Sequence, residues 1–276
     1  MNTISFNAAN FVAREIGYNM PGGWGEGASA AAEWFRPVST FAERFDDMLG
    51  EVTDLGFNAI DIWSEQLHFS WATTAHIQSA KSLLDRRGLI VTSYGGGAGT
   101  VPDLRLLCSL CANLDIPVIG GGTSLLDTDR QATVETLREF GIALGYENHP
   151  EKSAVEILAK IGKGDNDVIG AAVDTGWFGT QNFDGPLALR ELAPRLKLIH
   201  LKDVKARRAT PSGYPMIDMG HETCRYGEGI VNIKACVDTL KEIGYAGAIS
   251  IEHEPEDFDP REDVKASKVL LEQWLS

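Results

Sequence analysis

One unit keeps returning along the chain: an amphipathic helix, often a glycine, then a short apolar strand. The clearest helix is predicted over 40–55, where Phe41, Phe45, Met48, Leu49, Val52 and Leu55 fall on one face. Thr40 and Glu43 have the spacing of a capping box at its start. Gly56 suits the left-handed residue that ends such a helix, and a strand over 57–63 follows. Further helices are predicted over 75–87, 103–113, 130–140, 153–161, 187–192, 231–243 and 261–275. The matching strands are 3–6, 89–94, 116–119, 142–147, 168–174, 196–200 and 248–252.

Strict alternation implies parallel strands joined by helical crossovers. Eight such units in 276 residues fit a single (β/α)8 TIM barrel, which takes ~250 residues. No Gly-x-Gly-x-x-Gly stands at a strand-to-helix turn to argue for a dinucleotide fold. Gly95-Gly96-Gly97 and Gly120-Gly121-Gly122 lack the Lys-Ser/Thr of a phosphate loop and are expected to let backbone approach the barrel mouth. Two long segments, 8–38 and 203–229, follow strands and are therefore expected at the C-terminal mouth, where barrel active sites sit.

Composition narrows the partners. Hydrophobic residues make up 43% of the chain, enough for a large core, and no apolar run approaches the ~20 residues of a membrane span. The first residues lack the basic and apolar stretches of a secretory signal, so a cytoplasmic protein is expected. A formal net charge of −14 argues against nucleic acid, whose affinity comes from Lys and Arg neutralising phosphates. Cys108-x-x-Cys111 has no second pair to complete a zinc site and reads as the buried face of a helix.

The chemistry is expected where the last four strands end. Glu147 ends the fifth, Asp174 the sixth, His200 the seventh and Glu252 the eighth. In a barrel these ends converge, and three converging carboxylates without a cation would repel one another. One divalent metal ion removes the conflict. Three carboxylates and an imidazole suit Mn²⁺ or Mg²⁺, with Co²⁺ or Zn²⁺ as further options. A lone acid at a strand end is more often a helix cap, but four consecutive strands ending in ligand types are hard to explain that way.

The same residues carry a family resemblance. Gly145-Tyr146-Glu147-Asn148-His149, Val173-Asp174-Thr175-Gly176, Ile199-His200-Leu201-Lys202-Asp203 and Ser250-Ile251-Glu252 resemble the motifs of the xylose isomerase-like TIM-barrel superfamily. The resemblance covers about residues 40–275 and implies that Glu147, Asp174, His200 and Glu252 match the family's metal ligands. One departure is Trp177, where many members carry a histidine after the Asp-x-Gly motif. The AP endonuclease branch uses a histidine-rich three-metal cluster, whereas this chain has six histidines in all, one of them (His76) inside a predicted helix.

The resemblance implies a sugar isomerase or epimerase that moves a proton beside a carbonyl through an enediolate, with Glu147 and Glu252 exchanging it on opposite faces of the substrate. His149 is a further acid–base candidate, two residues beyond Glu147. Lys202, Asp203, Arg225, Trp177, His68 and Tyr94 are candidate substrate contacts. The Glu147-Asn148-His149 run also resembles the catalytic subunits of C-glycoside deglycosidases, lyases that eliminate an aglycone from a 3-oxo-sugar and pair with a small β-rich partner subunit. A sugar-binding protein without turnover is the third reading, and relatives suggest a homo-oligomer.

Overall fold

Ten strands and eleven α-helices are found among residues 2–207 and 220–276, the part of the chain that the computed structural model describes. The barrel strands are β1 (Ile4–Asn7), β2 (Ala59–Trp63), β3 (Ile90–Gly95), β4 (Val118–Gly121), β5 (Ala143–Glu147), β6 (Ile169–Asp174), β7 (Leu196–Leu201) and β10 (Ile249–Ile251). They close in the order β1-β10-β7-β6-β5-β4-β3-β2, every pair parallel. The fold is the expected (β/α)8 TIM barrel.

The helices follow from side-chain spacing and caps. In α2 (Val38–Asp54), Phe41, Phe45, Met48, Leu49 and Val52 are buried at three- and four-residue intervals against the barrel. Gly56 follows it at φ +80, a backbone state that glycine enters without a Cβ clash. The capping box expected at Thr40 does not form, because the helix starts two residues earlier, at Val38, and the Thr40 hydroxyl turns back to the Pro37 carbonyl. Thr73 and His76 make such a box instead, ahead of α3 (Thr74–Arg87). Thr100 caps α4 (Val101–Asn113), and Ser153 caps α7 (Ala154–Ile161). Next come α9 (Gly185–Leu192), capped by Asp184, and α10 (Ile233–Glu242), capped by Asn232. α6 (Arg130–Phe140) and α11 (Arg261–Leu275) complete the outer ring.

The described parts of both long segments carry regular structure. Residues 8–38 contain two 3₁₀ turns and α1 (Trp24–Phe35), whose Gly27 lies so close to Val12 that an added Cβ would meet its carbonyl oxygen at 2.4 Å. After β7 the chain forms an antiparallel hairpin, β8 (Asp203–Ala206) with β9 (His221–Cys224). Residues 208–219 of the loop expected over 203–229 lie outside the described residues. A Cβ at Gly97 would meet the Gly122 carbonyl oxygen at 2.2 Å, and one at Gly121 the Gly96 oxygen at 2.4 Å. The two loops need glycine in order to pack on each other.

Candidate active site

Strand register sets the site. β6 and β7 pair with Asp174 opposite His200, and β7 pairs with β10 with His200 opposite Ser250. Glu147 stands at the end of β5 and Glu252 one residue past β10, where its N–H donates to the Leu201 carbonyl. Four consecutive strand ends thus meet at the C-terminal mouth. Glu147, His200 and Glu252 each offer a ligand atom, and these atoms lie within 4.8 Å of one another.

His200 is the centre of this cluster. Its Nδ1 lies 2.8 Å from Glu147 Oε1 and 3.5 Å from Glu252 Oε2, and its Nε2 lies 3.0 Å from Asp61 Oδ2. A carboxylate only accepts, so the ring donates through Nε2–H to Asp61 and through Nδ1–H to Glu147, and the bond to Asp61 orients it with Nδ1 toward the two glutamates. Burial alone would push the His200 imidazole down; the charge of Glu252 and the hydrogen bonds to Asp61 and Glu147 hold it well above its ordinary value.

Asp174 has a different task from the other three. Its Oδ1 accepts from the Gly176 and Trp177 N–H groups and caps α8 (Thr175–Thr180). Its Oδ2 faces His149 Nε2 at 3.4 Å and Lys202 Nζ at 3.8 Å. The structure therefore gathers three of the four expected ligands tightly and sets Asp174 beside them, tied to Glu147 through His149, whose Nδ1 is 3.6 Å from Glu147 Oε2. Burial would lower the His149 imidazole, but Asp174 and Glu147 raise it to about 10. Burial would likewise raise Glu147, which His149 and His200 hold well below the usual carboxylate range. In Glu252 burial prevails: the carboxyl is pushed well above its ordinary value despite Lys202, with Glu254 and Asp174 adding to the rise.

Beside this cluster lies a cavity of about 610 Å³, lined by His149, Asp174, Lys202 and Trp177 among others. Lys202 is placed by three carboxylates, with Glu254 at 2.6 Å and Asp174 and Glu252 both at 3.8 Å. Trp177 donates through Nε1 to the Glu151 carbonyl and meets the His149 ring edge-on, centroids 4.8 Å apart.

Four expected substrate contacts lie outside the lining of this cavity. Asp203 is fully buried and receives the N–H groups of Val204, Gly227, Gly229 and Val231, so its carboxylate holds the loop after β9. Arg225 pairs with Asp263 of α11 and does not line the cavity. Tyr94 is buried in the core with its hydroxyl on the Leu67 carbonyl. His68 stacks on Phe69 and binds Ser70, also away from the cavity wall. Sequence reasoning missed Asp61 and Asn148. An acid between Ile60 and Ile62 in an apolar strand was the available signal for the first. The buried Asn148 amide brackets the Asp174 backbone, accepting from its N–H at 2.7 Å and donating to its carbonyl at 2.9 Å.

The donor set fits a divalent ion. Glu252 Oε2 and Asp174 Oδ2 are buried carboxylate oxygens without a hydrogen-bond partner, an arrangement that a cation relieves.

A closed parallel barrel with a carboxylate–imidazole cluster at its C-terminal mouth defines the general class. The family model for the xylose isomerase-like TIM barrel matches residues 49–273, and the chain belongs to that family. An uncharacterized protein of Methanocaldococcus jannaschii, MJ1311, is 30% identical over 148 residues, which are 50% of this chain and 45% of that protein. The match thus spans less than half the length of that relative. Among solved structures, an L-ribulose 3-epimerase superposes with TM-score 0.67 at 16% identity, over 100% of this chain and 95% of its own. A xylose isomerase-like TIM barrel protein from Mycobacterium smegmatis, in complex with magnesium, gives 0.66 at 18% identity, over 100% and 98%. No helix among the described residues is long and apolar enough to cross a membrane.

Proposed function

We propose that the protein is a divalent-metal-dependent sugar isomerase or epimerase that moves a proton on the carbon beside a carbonyl. The observation that carries this reading is the convergence of Glu147, His200 and Glu252 within 4.8 Å at the floor of the barrel mouth. Those three residues would hold the ion, with Asp174 adjacent. A bound divalent cation would supply electrophilic stabilisation for the negative charge that grows on the substrate oxygen as the proton leaves. The L-ribulose 3-epimerase and the magnesium complex among the structural neighbours support the reading. An oxygen-rich donor set favours Mg²⁺ or Mn²⁺.

The protein's own groups do the rest. Glu147 and Glu252 come from non-adjacent strands and flank His200, so they approach a bound sugar from two sides; one takes the proton and the other returns it. His149 and Lys202 stand between the cluster and the cavity, where their N–H groups can donate to sugar hydroxyls. Trp177, itself buried, walls the same space.

Incubation with free ketoses in D2O tests this directly. The expected result is deuterium at the carbon next to the carbonyl, together with the epimer or isomer. Glu147→Gln and Glu252→Gln should each slow exchange by about 10²–10⁴-fold, the usual range for a general acid or base. Exchange at the wild-type rate in both variants would remove the assignment.

A further inference from the structure

Of the four residues expected as ligands, Glu252 alone lies beyond its strand. Glu147 and Asp174 are the last residues of β5 and β6, and His200 lies inside β7. β10 ends at Ile251 after three residues, the fewest of any barrel strand. Its register with β1 stops at Phe6 opposite Ile251, and the chain then passes from β1 into the 3₁₀ turn Ala8–Phe11. A parallel neighbour continuing past that point would hold Glu252 with two bonds. One would be donated to the carbonyl before it, the other accepted from the N–H after it.

The side chain of Asn10, fully buried in that turn, makes this pair of bonds. Its Nδ2 donates to the Ile251 carbonyl at 3.0 Å, and its Oδ1 accepts from the His253 N–H at 2.6 Å. On the opposite side the Glu252 N–H donates to the Leu201 carbonyl of β7 at 3.0 Å. The carboxylate itself is held less closely. Its Oε2 lies 3.5 Å from His200 Nδ1 and its Oε1 3.8 Å from Lys202 Nζ. Both contacts are longer than a good hydrogen bond, so the place of the carboxylate depends on the backbone that carries it.

We infer that Asn10 is a positioning residue for Glu252: its amide stands in for the missing stretch of β1 and fixes the backbone from which the carboxylate reaches the cluster. The inference rests on the metal-dependent reading above and adds a residue to it. Asn10 does not line the cavity, so its effect reaches the site through the Ile251–His253 backbone.

The test measures Mn²⁺ affinity by calorimetry and the visible absorption of bound Co²⁺ in the wild type, Asn10→Ala and Leu137→Ala. Leu137 is buried in α6, away from the mouth, and its truncation costs stability only. Asn10→Ala is expected to weaken Mn²⁺ binding about tenfold, the low end for a residue that orients a ligand, and to shift the Co²⁺ bands. Leu137→Ala should lower the melting temperature and change neither readout. Asn10→Ser is the second variant should Asn10→Ala fail to fold, and the same shifts are expected of it. Unchanged affinity or an unchanged spectrum in the folded Asn10 variant overturns the inference, as does an equal loss of affinity in Leu137→Ala. A wild type that binds its ion but exchanges no ketose proton loses the isomerase reading and leaves the Asn10 result to decide the positioning role. A wild type that takes up no ion overturns both.

Discussion

At the residue scale, His200 explains most of the site. Its ring bridges acids on three strands, and the bridge to Asp61 decides which nitrogen faces the cluster. Asp61→Asn is expected to weaken Mn²⁺ binding by about 10–100-fold, the usual effect of losing the carboxylate behind a ligating histidine. Titration calorimetry reads this, and unchanged affinity would show that the ring is held by other means. Much of the cluster was legible because Glu147, Asp174, His200 and Glu252 end consecutive barrel strands. What could not be read was how each carboxylate divides its oxygens. Asp174 gives one to the N-terminus of α8, a short helix invisible to periodicity analysis. Asp61 lies across the barrel from the motif residues, and only closure brings it to His200.

At the element scale, the eight helix–strand repeats emerged because their apolar spacing and glycine stops are strong signals. α1 did not, since Trp24-Gly25-Glu26-Gly27 is a poor helix former in isolation. Tertiary contact with Val12 and Met20 decides it, where Gly27 lets the backbone approach. The β8–β9 hairpin was hidden in a loop for a similar reason: the interactions that organise it are long-range. Asp203 is the clearest of these, its carboxylate collecting N–H groups from Val204 and from residues 227–231. Asp203→Ala should therefore destabilise the fold by about 3 kcal/mol, because it strips several buried N–H groups of a charged acceptor. Urea denaturation measures this; a loss under about 0.5 kcal/mol, typical of surface substitutions, would contradict it.

At the scale of the whole molecule, the core and the site make separate demands on stability. Cys108, Cys224 and Cys236 are buried free thiols, and burial pushes each up to about 12. An unfolded thiol titrates near ~8.5, so the fold favours the protonated form. That contribution is complete below about pH 8.5 and is lost as pH rises toward the folded value near 12. These thiols should stay silent to a maleimide at pH 8 and react only on unfolding; rapid labelling of the native protein would contradict their burial. The cluster at the mouth works in the opposite sense, gathering acids that the fold alone leaves short of partners. Saturating Mn²⁺ is expected to raise the melting temperature and EDTA to lower it, since a ligand bound only by the folded state stabilises it.

The most direct measurement is metal stoichiometry and affinity in the wild type beside Glu147→Ala, His200→Ala and Glu252→Ala, each checked for folding by circular dichroism. One tightly bound divalent ion per wild-type chain, with uptake lost or greatly weakened in all three folded variants, is the expected result. Absence of uptake by the wild type, or full uptake by the folded variants, would contradict a metal centre at the barrel mouth.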